Sequence, residues 1–415
     1  MQKHPALHAV NMVFGCIAAS IVMVKDVQAQ GLGVSDAINN SDLSRQLHLI
    51  VDGWANFGFS YNPLTPSDRY NGPVTFNDRD REVQLNQLYL LIERHADKTA
   101  GQWDVGGRID FLFGSDAQFA QAQGAPNGHW DMQLTGNRFY NIALPQAYAE
   151  LYVPWGNGVT AKIGHFYTII GNELVTAPDN FFYSHSYTMQ YGEPFTHTGI
   201  LFDYPLFAAG SGALSGWTIN TKLGAVTGGT TGGWDAAFDH GLGAWRFLGG
   251  VSLNSPEGDT SFDVTASSGP TAEQNPANWS LYSLVLKHQF AAAVQYTVQF
   301  DYGQVESQAA QPAAEWMGLV NSLTYAIDPE LTAGVRLEWF RDDDNFRILS
   351  PAREGLAVNQ ASSYYAATAG FRWQPNGWLT LRPNARYDWS DGSRSFDGGN
   401  SGSQWLVSLD CTLRF

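Results

Sequence analysis

Apolar and polar residues alternate with a period of two along most of the chain. Side chains of a β-strand point alternately to its two faces, so this pattern predicts strands with one apolar and one polar face. The runs last about eleven residues, whereas strands of soluble proteins average about five or six and strands that cross a bilayer need about 9–11. The pattern therefore favours membrane-crossing strands. Clear runs place apolar or small residues at Trp103, Val105, Gly107, Ile109, Phe111 and Phe113, and at Leu331, Ala333, Val335, Leu337 and Trp339.

About sixteen such runs occur, and bacterial single-chain barrels have an even number of strands. The weakest is 260–267, where only Phe262, Val264 and Ala266 alternate. We predict strands at 47–60, 83–95, 103–114, 144–155, 159–169, 196–204, 214–226, 244–253, 260–267, 278–289, 293–304, 313–326, 331–341, 362–373, 379–390 and 403–415.

The connections between these strands alternate between short and long. Asn157-Gly158, in one of the short links, is a strong signal for a tight hairpin. Short turns on one side and long loops on the other are typical of outer-membrane barrels, whose long loops are extracellular. The long links are 61–82, 115–143, 170–195, 227–243, 342–361 and 391–402.

The fold class predicted is therefore all-β, a transmembrane antiparallel up-and-down barrel. Tryptophans near strand ends fit the aromatic girdles at membrane interfaces. A soluble β-sandwich is the alternative, in which the same tryptophans would fill a core. These tryptophans are Trp103, Trp155, Trp339, Trp373, Trp389 and Trp405.

The N-terminus predicts export. Lys3 precedes an apolar run from 12 to 24 and the small-residue site ending at Ala29, so residues 1–29 are interpreted as a signal peptide. A lipoprotein signal ending at Cys16 is the alternative, although most of the apolar stretch follows that cysteine. Residues 30–46 would form a short periplasmic segment, too small for the plug domain of an energy-driven receptor, and 47–415 the barrel.

Composition narrows the function classes. The 415 residues carry a formal net charge of -16 and 13% aromatic residues, so a nucleic-acid partner, which needs a basic patch, is not expected. Mean hydropathy is -0.22, and after the signal no apolar run reaches the length of a spanning helix. The last strand alternates up to Phe415, an ending that resembles the signal read by the barrel-insertion machinery. We therefore expect that machinery and outer-membrane lipid as partners.

Three groups of motifs resemble a known family. One is Gly171-Asn172-Glu173 with the aromatic string 181–187 and Glu193-Pro194-Phe195, and the others are 336–343 and 382–389. In combination they are similar to the second family of β-barrel porins, the OmpL-like group, over about Val83 to Phe415. The resemblance implies an outer-membrane pore without naming a solute. Asn345 departs from the pattern, because a turn glycine often stands there.

The polar face of a pore sets its selectivity. Arginines occupy polar, inward-facing positions of consecutive strands, which predicts a basic stripe on one wall of the barrel. Loop 170–195 carries acidic groups among aromatic residues. Acidic groups facing that stripe would create a transverse field. Alternatively, the arginines only pair with neighbouring carboxylates, and the loop is an ordinary extracellular loop. The pore-lining or constriction candidates are Arg108, Asp110, Glu173, Asp179, His185, Glu193, Arg336, Glu338, Arg372, Arg382, Arg386 and Asp388.

Catalytic and metal motifs are weak. Ser184-His185-Ser186 could suggest a hydrolase, but adjacent residues of an extended segment point apart. The spacings of His165, His185 and His197 match no recognised metal site. We therefore predict a non-enzymatic channel without a cofactor, passing small polar solutes or ions by passive diffusion, with a homotrimer as a candidate assembly. An adhesive, structural or hydrolytic barrel is the alternative.

Overall fold

Sixteen antiparallel strands form one closed barrel in the computed structural model. Each strand pairs with the next in sequence, and β1 (Ile50–Tyr61) pairs with β16 (Ser403–Arg414) to close the ring. The predicted fold class is therefore confirmed. The structure describes residues 33–121, 139–207, 215–227, 245–270, 277–307, 312–348, 361–392 and 394–415.

The other strands follow in chain order. They are β2 (Val83–Arg94), β3 (Asp104–Gly114), β4 (Asn141–Val153), β5 (Val159–Tyr167), β6 (Thr196–Phe207), β7 (Thr218–Thr227), β8 (Trp245–Asn254), β9 (Thr260–Pro270), β10 (Asn278–Ala291), β11 (Val294–Val305), β12 (Ala314–Ala326), β13 (Leu331–Asp342), β14 (Ser362–Asn376) and β15 (Leu379–Ser390). Even the weakest predicted run, 260–267, is a full strand, because two neighbours supply its backbone partners.

Short helices lie outside the sheet. The segment predicted as 30–46 contains α1 (Val34–Asn39) and α2 (Asp42–Leu47), so β1 begins three residues later than expected. Asn39 fixes α1 to the barrel, because its side chain exchanges two hydrogen bonds with the backbone of Val51, at 2.9 and 2.7 Å. Among the described residues no helix is long and apolar enough to span a membrane. The predicted signal peptide, 1–29, lies outside them.

Alternate residues point into and out of the barrel. On β13, Val335 and Leu337 are exposed on the outer surface, whereas Arg336 between them is 2% exposed and faces inward. Aromatic residues gather at both ends of the outer surface. Trp103 and Trp155 are exposed beside short turns, and a stack of four rings lies near the long loop 391–402. The stacked rings are Tyr365, Trp389, Tyr387 and Trp405.

This facing predicts how substitutions are tolerated. Val335→Arg places a charge on the apolar outer surface and is expected to cost about 2–4 kcal/mol if the site lies near the bilayer midplane. Thr324→Arg, on the inner face between Gln295 and Gly334, should be tolerated. Urea unfolding of the barrel in lipid vesicles measures the difference. Equal loss at both sites would show that the two faces are assigned wrongly.

Three long loops turn back into the barrel from one end. We name them L1 (62–82), L2 (115–140, of which 122–138 lie outside the described residues) and L3 (168–195). L2 carries α3 (Ala117–Ala120), whose Phe119 packs on Phe76 of L1 with ring centroids 4.6 Å apart. Buried aromatic residues of L1, L2 and L3 thus form a core inside the barrel, on the long-loop side.

Candidate functional site: a loop across the lumen

L3 leaves β5, enters the lumen and returns into β6 through a narrow neck. Gly171, with φ +82°, lies at the neck, where a β-carbon would collide with the carboxyl of Glu193. The left-handed conformation and this close approach both require glycine. L3 then forms a short 3₁₀-helix (Ala177–Asp179) and a single π-helical turn (Thr188–Gly192). The two ends of the loop therefore lie side by side, and its middle extends across the lumen.

The middle of L3 is attached to the opposite wall. In a ring of sixteen strands β13 lies eight positions from β5, and the loop bonds to β11 through β15 and to β2. At the β2 side, the Gln87 side chain donates to the Val175 carbonyl at 2.7 Å and accepts from the Ala177 N–H at 3.0 Å. At β12, the Trp316 indole N–H donates to the Gly192 carbonyl at 3.1 Å. L3 therefore covers about half of the wall.

Arg336 of β13 is the first anchor of the loop. Its Nη1 donates to Glu173 Oε1 at 2.8 Å and to the Ser184 carbonyl at 2.7 Å, and its guanidinium lies 5.2 Å from the centre of the Phe182 ring. Charge-assisted hydrogen bonds of this kind are about twice as strong as neutral ones. The predicted acidic loop and basic wall are therefore in direct contact, with the loop lying on the arginine.

Arg386 of β15 is the second anchor and is completely buried. Its guanidinium lies 3.0 Å from Glu338 and 2.7 Å from Asp388, and it also donates to the His185 carbonyl at 2.7 Å. The same two carboxylates hold Tyr187. Its backbone N–H donates to Glu338 at 2.6 Å and its hydroxyl to Asp388 at 2.9 Å. Wall arginine, wall carboxylates and loop thus form one network.

Arg382 and Arg372 hold the 3₁₀-helix of L3. Arg382 pairs with Asp410 of β16 and donates to the carbonyls of Ala177 and Asn180 at 2.5 and 2.8 Å. Arg372 donates to the Pro178 carbonyl at 3.1 Å. Asp179, in contrast, is exposed, and its closest cation is Arg414 at 3.9 Å. The stripe predicted from parity is therefore a line of loop anchors.

Glu173 is held in its charged form by its neighbours. Burial raises its pKa, but the charge of Arg336 and hydrogen bonds from His185 and the Ser186 N–H outweigh this, so the pKa falls to about 2. Burial lowers the pKa of His185, although the hydrogen bond to Glu173 and the charge of that carboxylate act to raise it. Glu173 is therefore ionised at neutral pH and keeps its ion pair with Arg336.

Glu193 lies at the other end of L3. Its carboxyl accepts a hydrogen bond from Gln299 of β11, and the same amide nitrogen donates to Asp301 at 3.0 Å. The Asn172 backbone N–H donates to the Gln299 side-chain oxygen at 3.0 Å. One glutamine of the wall therefore binds both ends of the loop neck.

L1 is the contribution that the sequence analysis missed. Val74 and Phe76 are buried in the lumen, and Phe76 packs on His185 of L3 with centroids 4.4 Å apart. Gln190 of L3 accepts hydrogen bonds from the backbone and side chain of Thr75, at 2.6 and 2.7 Å. The local signal is weak, because Val74 and Phe76 are two among several apolar residues scattered through a mostly polar loop. L1 thus packs on L3 from the side of the long loops.

The wall on the other side is polar and carries charges that L3 does not bind. Arg108 of β3 pairs with Asp110 at 2.6 Å and Glu93 at 3.1 Å. Lys162 and Lys222 point from β5 and β7 toward the same space, half-buried. Among the hydrogen bonds and ion pairs of the described residues, none joins either lysine to L3. On this wall the charged side chains pair with one another or face the lumen, and L3 does not bind them.

Among the described residues no hydrogen bond joins Ser184 to His185. His185 Nδ1 lies 3.2 Å from Glu173, and Ser184 accepts from Arg336, so these neighbours bind different partners. No group of three or more His, Cys, Asp or Glu residues suited to a metal ion occurs in the described part of the chain.

Asn345 stands where a turn glycine often occurs in the family motif. Its φ is +53°, a left-handed conformation that asparagine tolerates.

Known proteins with this architecture are outer-membrane channels. The chain is similar to the outer membrane channel DcaP of Acinetobacter baumannii (12% identity, 88% of this chain and 97% of that chain, TM-score 0.56). It is also similar to an anion-selective porin from Comamonas acidovorans (10%, 88% and 99%, TM-score 0.55). A third is OmpT of Vibrio cholerae in a trimer form (9%, 88% and 99%, TM-score 0.52). At sequence identities this low, the structural similarity establishes the fold alone.

No curated protein matches the sequence of this chain. The family model described as "Putative beta-barrel porin-2, OmpL-like" matches residues 48–415, which is nearly the whole barrel. This is the same family that the three groups of sequence motifs resemble. The chain therefore belongs to this family and is an outer-membrane porin, a passive diffusion channel and not an enzyme.

Proposed function

We propose that the channel admits small polar solutes through a constriction between L3 and the wall from β3 to β10. The observation that carries this is the attachment of L3 to the strands opposite its origin, through Arg336 and Arg386. A loop held across the lumen narrows it on one side and leaves the other side for passage. Solutes larger than the gap would be excluded by the loop, because its neck and its middle are both bonded to the wall.

The candidate residues fall into two groups in this proposal. Arg108 and Asp110 line the passage. The others build the loop side of the constriction, with the wall arginines and carboxylates acting on conductance by holding the loop. The loop side comprises Glu173, Asp179, His185, Glu193, Arg336, Glu338, Arg372, Arg382, Arg386 and Asp388.

Ion preference is proposed to depend on two lysines of the passage wall. Lys162 lies opposite Glu150 in the β4–β5 pair, and Lys222 lies opposite Asp203 in the β6–β7 pair. The ammonium of Lys162 also lies 4.7 Å from the centre of the Tyr148 ring. Charges of both signs thus alternate around the wall, an arrangement that orients dipolar solutes and bears on the ions that pass.

Charge reversal at these lysines tests the proposal. The double variant Lys162→Glu and Lys222→Glu should shift the reversal potential in a salt gradient toward that of a cation-selective channel. The shift should shrink at high salt, since the Debye length falls from about 10 Å at 0.1 M to about 3 Å at 1 M. Lys98→Glu, in the exposed turn 95–103, is the control and should change nothing. An unchanged reversal potential in the double variant would place the passage elsewhere.

We further propose that the porin assembles as a homotrimer in the lipid of the outer membrane. OmpT of Vibrio cholerae, which shares the fold, is described in a trimer form. Chemical cross-linking in native membranes should give a species of three chains. A single-chain species alone, at cross-linker concentrations that link a trimeric reference porin, would contradict a trimer.

A further inference from the structure

A small cavity lies beside the end of L3, on the long-loop side of the lumen. Its volume is about 40 Å³. The loop contributes Glu193, and the wall from β8 to β12 contributes Arg246, Ser267, Trp279 and Trp316, with Arg347 following β13. The cavity shares Glu193 with the loop side of the proposed constriction, but none of the wall arginines that anchor L3 on β13 to β15 lines it.

Arg246 is the main polar group of the cavity. Its Nη2 donates to the Trp279 carbonyl at 3.1 Å, which is a neutral acceptor. Its Nε is buried and has no hydrogen-bond partner among the described residues, and none of the ion pairs found there includes Arg246. A guanidinium is always charged, and a buried charge without a counter-charge is costly. The cavity therefore contains a fixed positive charge that the described residues do not neutralise.

Ser267 supplies a second unused donor. It is 1% exposed, and its hydroxyl has no hydrogen-bond partner in the described part of the chain. Buried polar atoms are nearly always hydrogen-bonded, so an unpaired hydroxyl and an unpaired guanidinium N–H in one cavity point to a missing acceptor. An oxygen anion would accept from both donors and would also balance the charge of the guanidinium, which a water cannot do.

The other walls hold this arrangement in place. The Arg347 guanidinium lies 5.4 Å from the Trp279 ring centre and 4.9 Å from that of Trp316, and its Nε donates to the Tyr191 carbonyl. Trp279 and Trp316 pack edge to face, with centroids 6.0 Å apart. Glu193 also lines the cavity, but its carboxyl is bonded to Gln299. The cavity thus has aromatic walls whose side chains pack on one another.

We propose that this cavity binds a small oxyanion, the carboxylate or phosphate group of a solute at the channel mouth. Its volume of about 40 Å³ suits such a group, since one water needs roughly 10–15 Å³ of cavity measured in this way. A larger organic body would remain outside, against the indole rings. The channel would then have a discrete binding site in addition to its constriction.

Isothermal titration of the full detergent-folded chain with inorganic phosphate tests the site, and acetate in a parallel titration separates carboxylate from phosphate preference. We expect saturable binding of at least one of the two anions. Arg246→Gln should weaken it by about tenfold or more, the loss expected for a charged hydrogen bond. Ser267→Ala should weaken it less, and Arg69→Gln, an exposed arginine of L1, should leave it unchanged.

Absence of saturable binding of both anions by the unmodified chain would overturn the proposal, as would undiminished binding by Arg246→Gln. If Arg246→Gln does not fold, Ser267→Ala decides, because it removes only one hydroxyl. Equal binding by Ser267→Ala and the unmodified chain would then count against the site. Single-channel conductance of the unmodified chain and of the variant with a shortened L3 tests the proposed constriction without either anion, so failure of this site is distinguishable from failure of the proposed constriction.

Discussion

Arg386→Ala is expected to be the most damaging single substitution inside the barrel. Removing this guanidinium leaves Glu338 and Asp388 without their buried cation and frees the His185 carbonyl. Breaking a buried ion pair by removing one partner costs about 3–5 kcal/mol. The folded barrel should therefore unfold at lower temperature, which the heat-induced mobility change on gels measures. Single-channel conductance should rise or become noisy as L3 loosens.

Arg414→Ala is the matched control for Arg386→Ala. Its side chain is 43% exposed and lies 3.9 Å from Asp179, and exposed pairs contribute only about 0–1 kcal/mol. Arg386→Lys should be intermediate, because one ammonium cannot reproduce the planar fork that binds two carboxylates and a carbonyl. If Arg386→Ala unfolds at the same temperature as Arg414→Ala, the buried network does not hold the loop.

The strands could be predicted from the sequence because each carries its own signal. On β13 the parity of Val335 and Leu337 against Arg336 and Glu338 identifies both faces, and burial follows that parity. A slip of one residue in this strand would turn Arg336 and Glu338 toward lipid, so its register is strongly determined. For the same reason β15 begins and ends at the predicted residues.

The loops could be predicted only in part, because their conformation depends on contacts that are distant in sequence. Glu173 and Arg336 are 163 residues apart, and nothing near either residue specifies that they meet. The sequence suggested a transverse field between loop and wall, and the structure brings the two into contact. The entry of L1 into the lumen depends in the same way on Thr75 and Phe76 meeting residues of L3.

The N-terminal helices show a different limit. α1 and α2 are six residues each, too short to give a period that could be recognised, and helices of this length are marginal without tertiary contacts. α1 docks to β1 through the side chain of Asn39, a contact that could not be predicted from the sequence. Short elements and side-chain networks could therefore be identified only from the structure, whereas the long strands could be predicted from the sequence.

Shortening L3 has the other large expected effect. Replacing residues 176–190 by a short Gly-Ser linker removes the loop carbonyls that accept hydrogen bonds from Arg336, Arg382 and Arg386. The loop covers about half of the wall, and pore conductance grows with the open cross-section, so we expect conductance to rise by about twofold. The same linker in place of residues 98–101, in an exposed turn on the opposite end of the barrel, is the control.

Single-channel recording in planar bilayers therefore tests the constriction most directly. We expect discrete, ohmic openings from the unmodified porin and its turn control, and larger openings from the variant with the shortened L3. Equal conductance of the three proteins would contradict a constriction formed by L3 between β5 and the far wall.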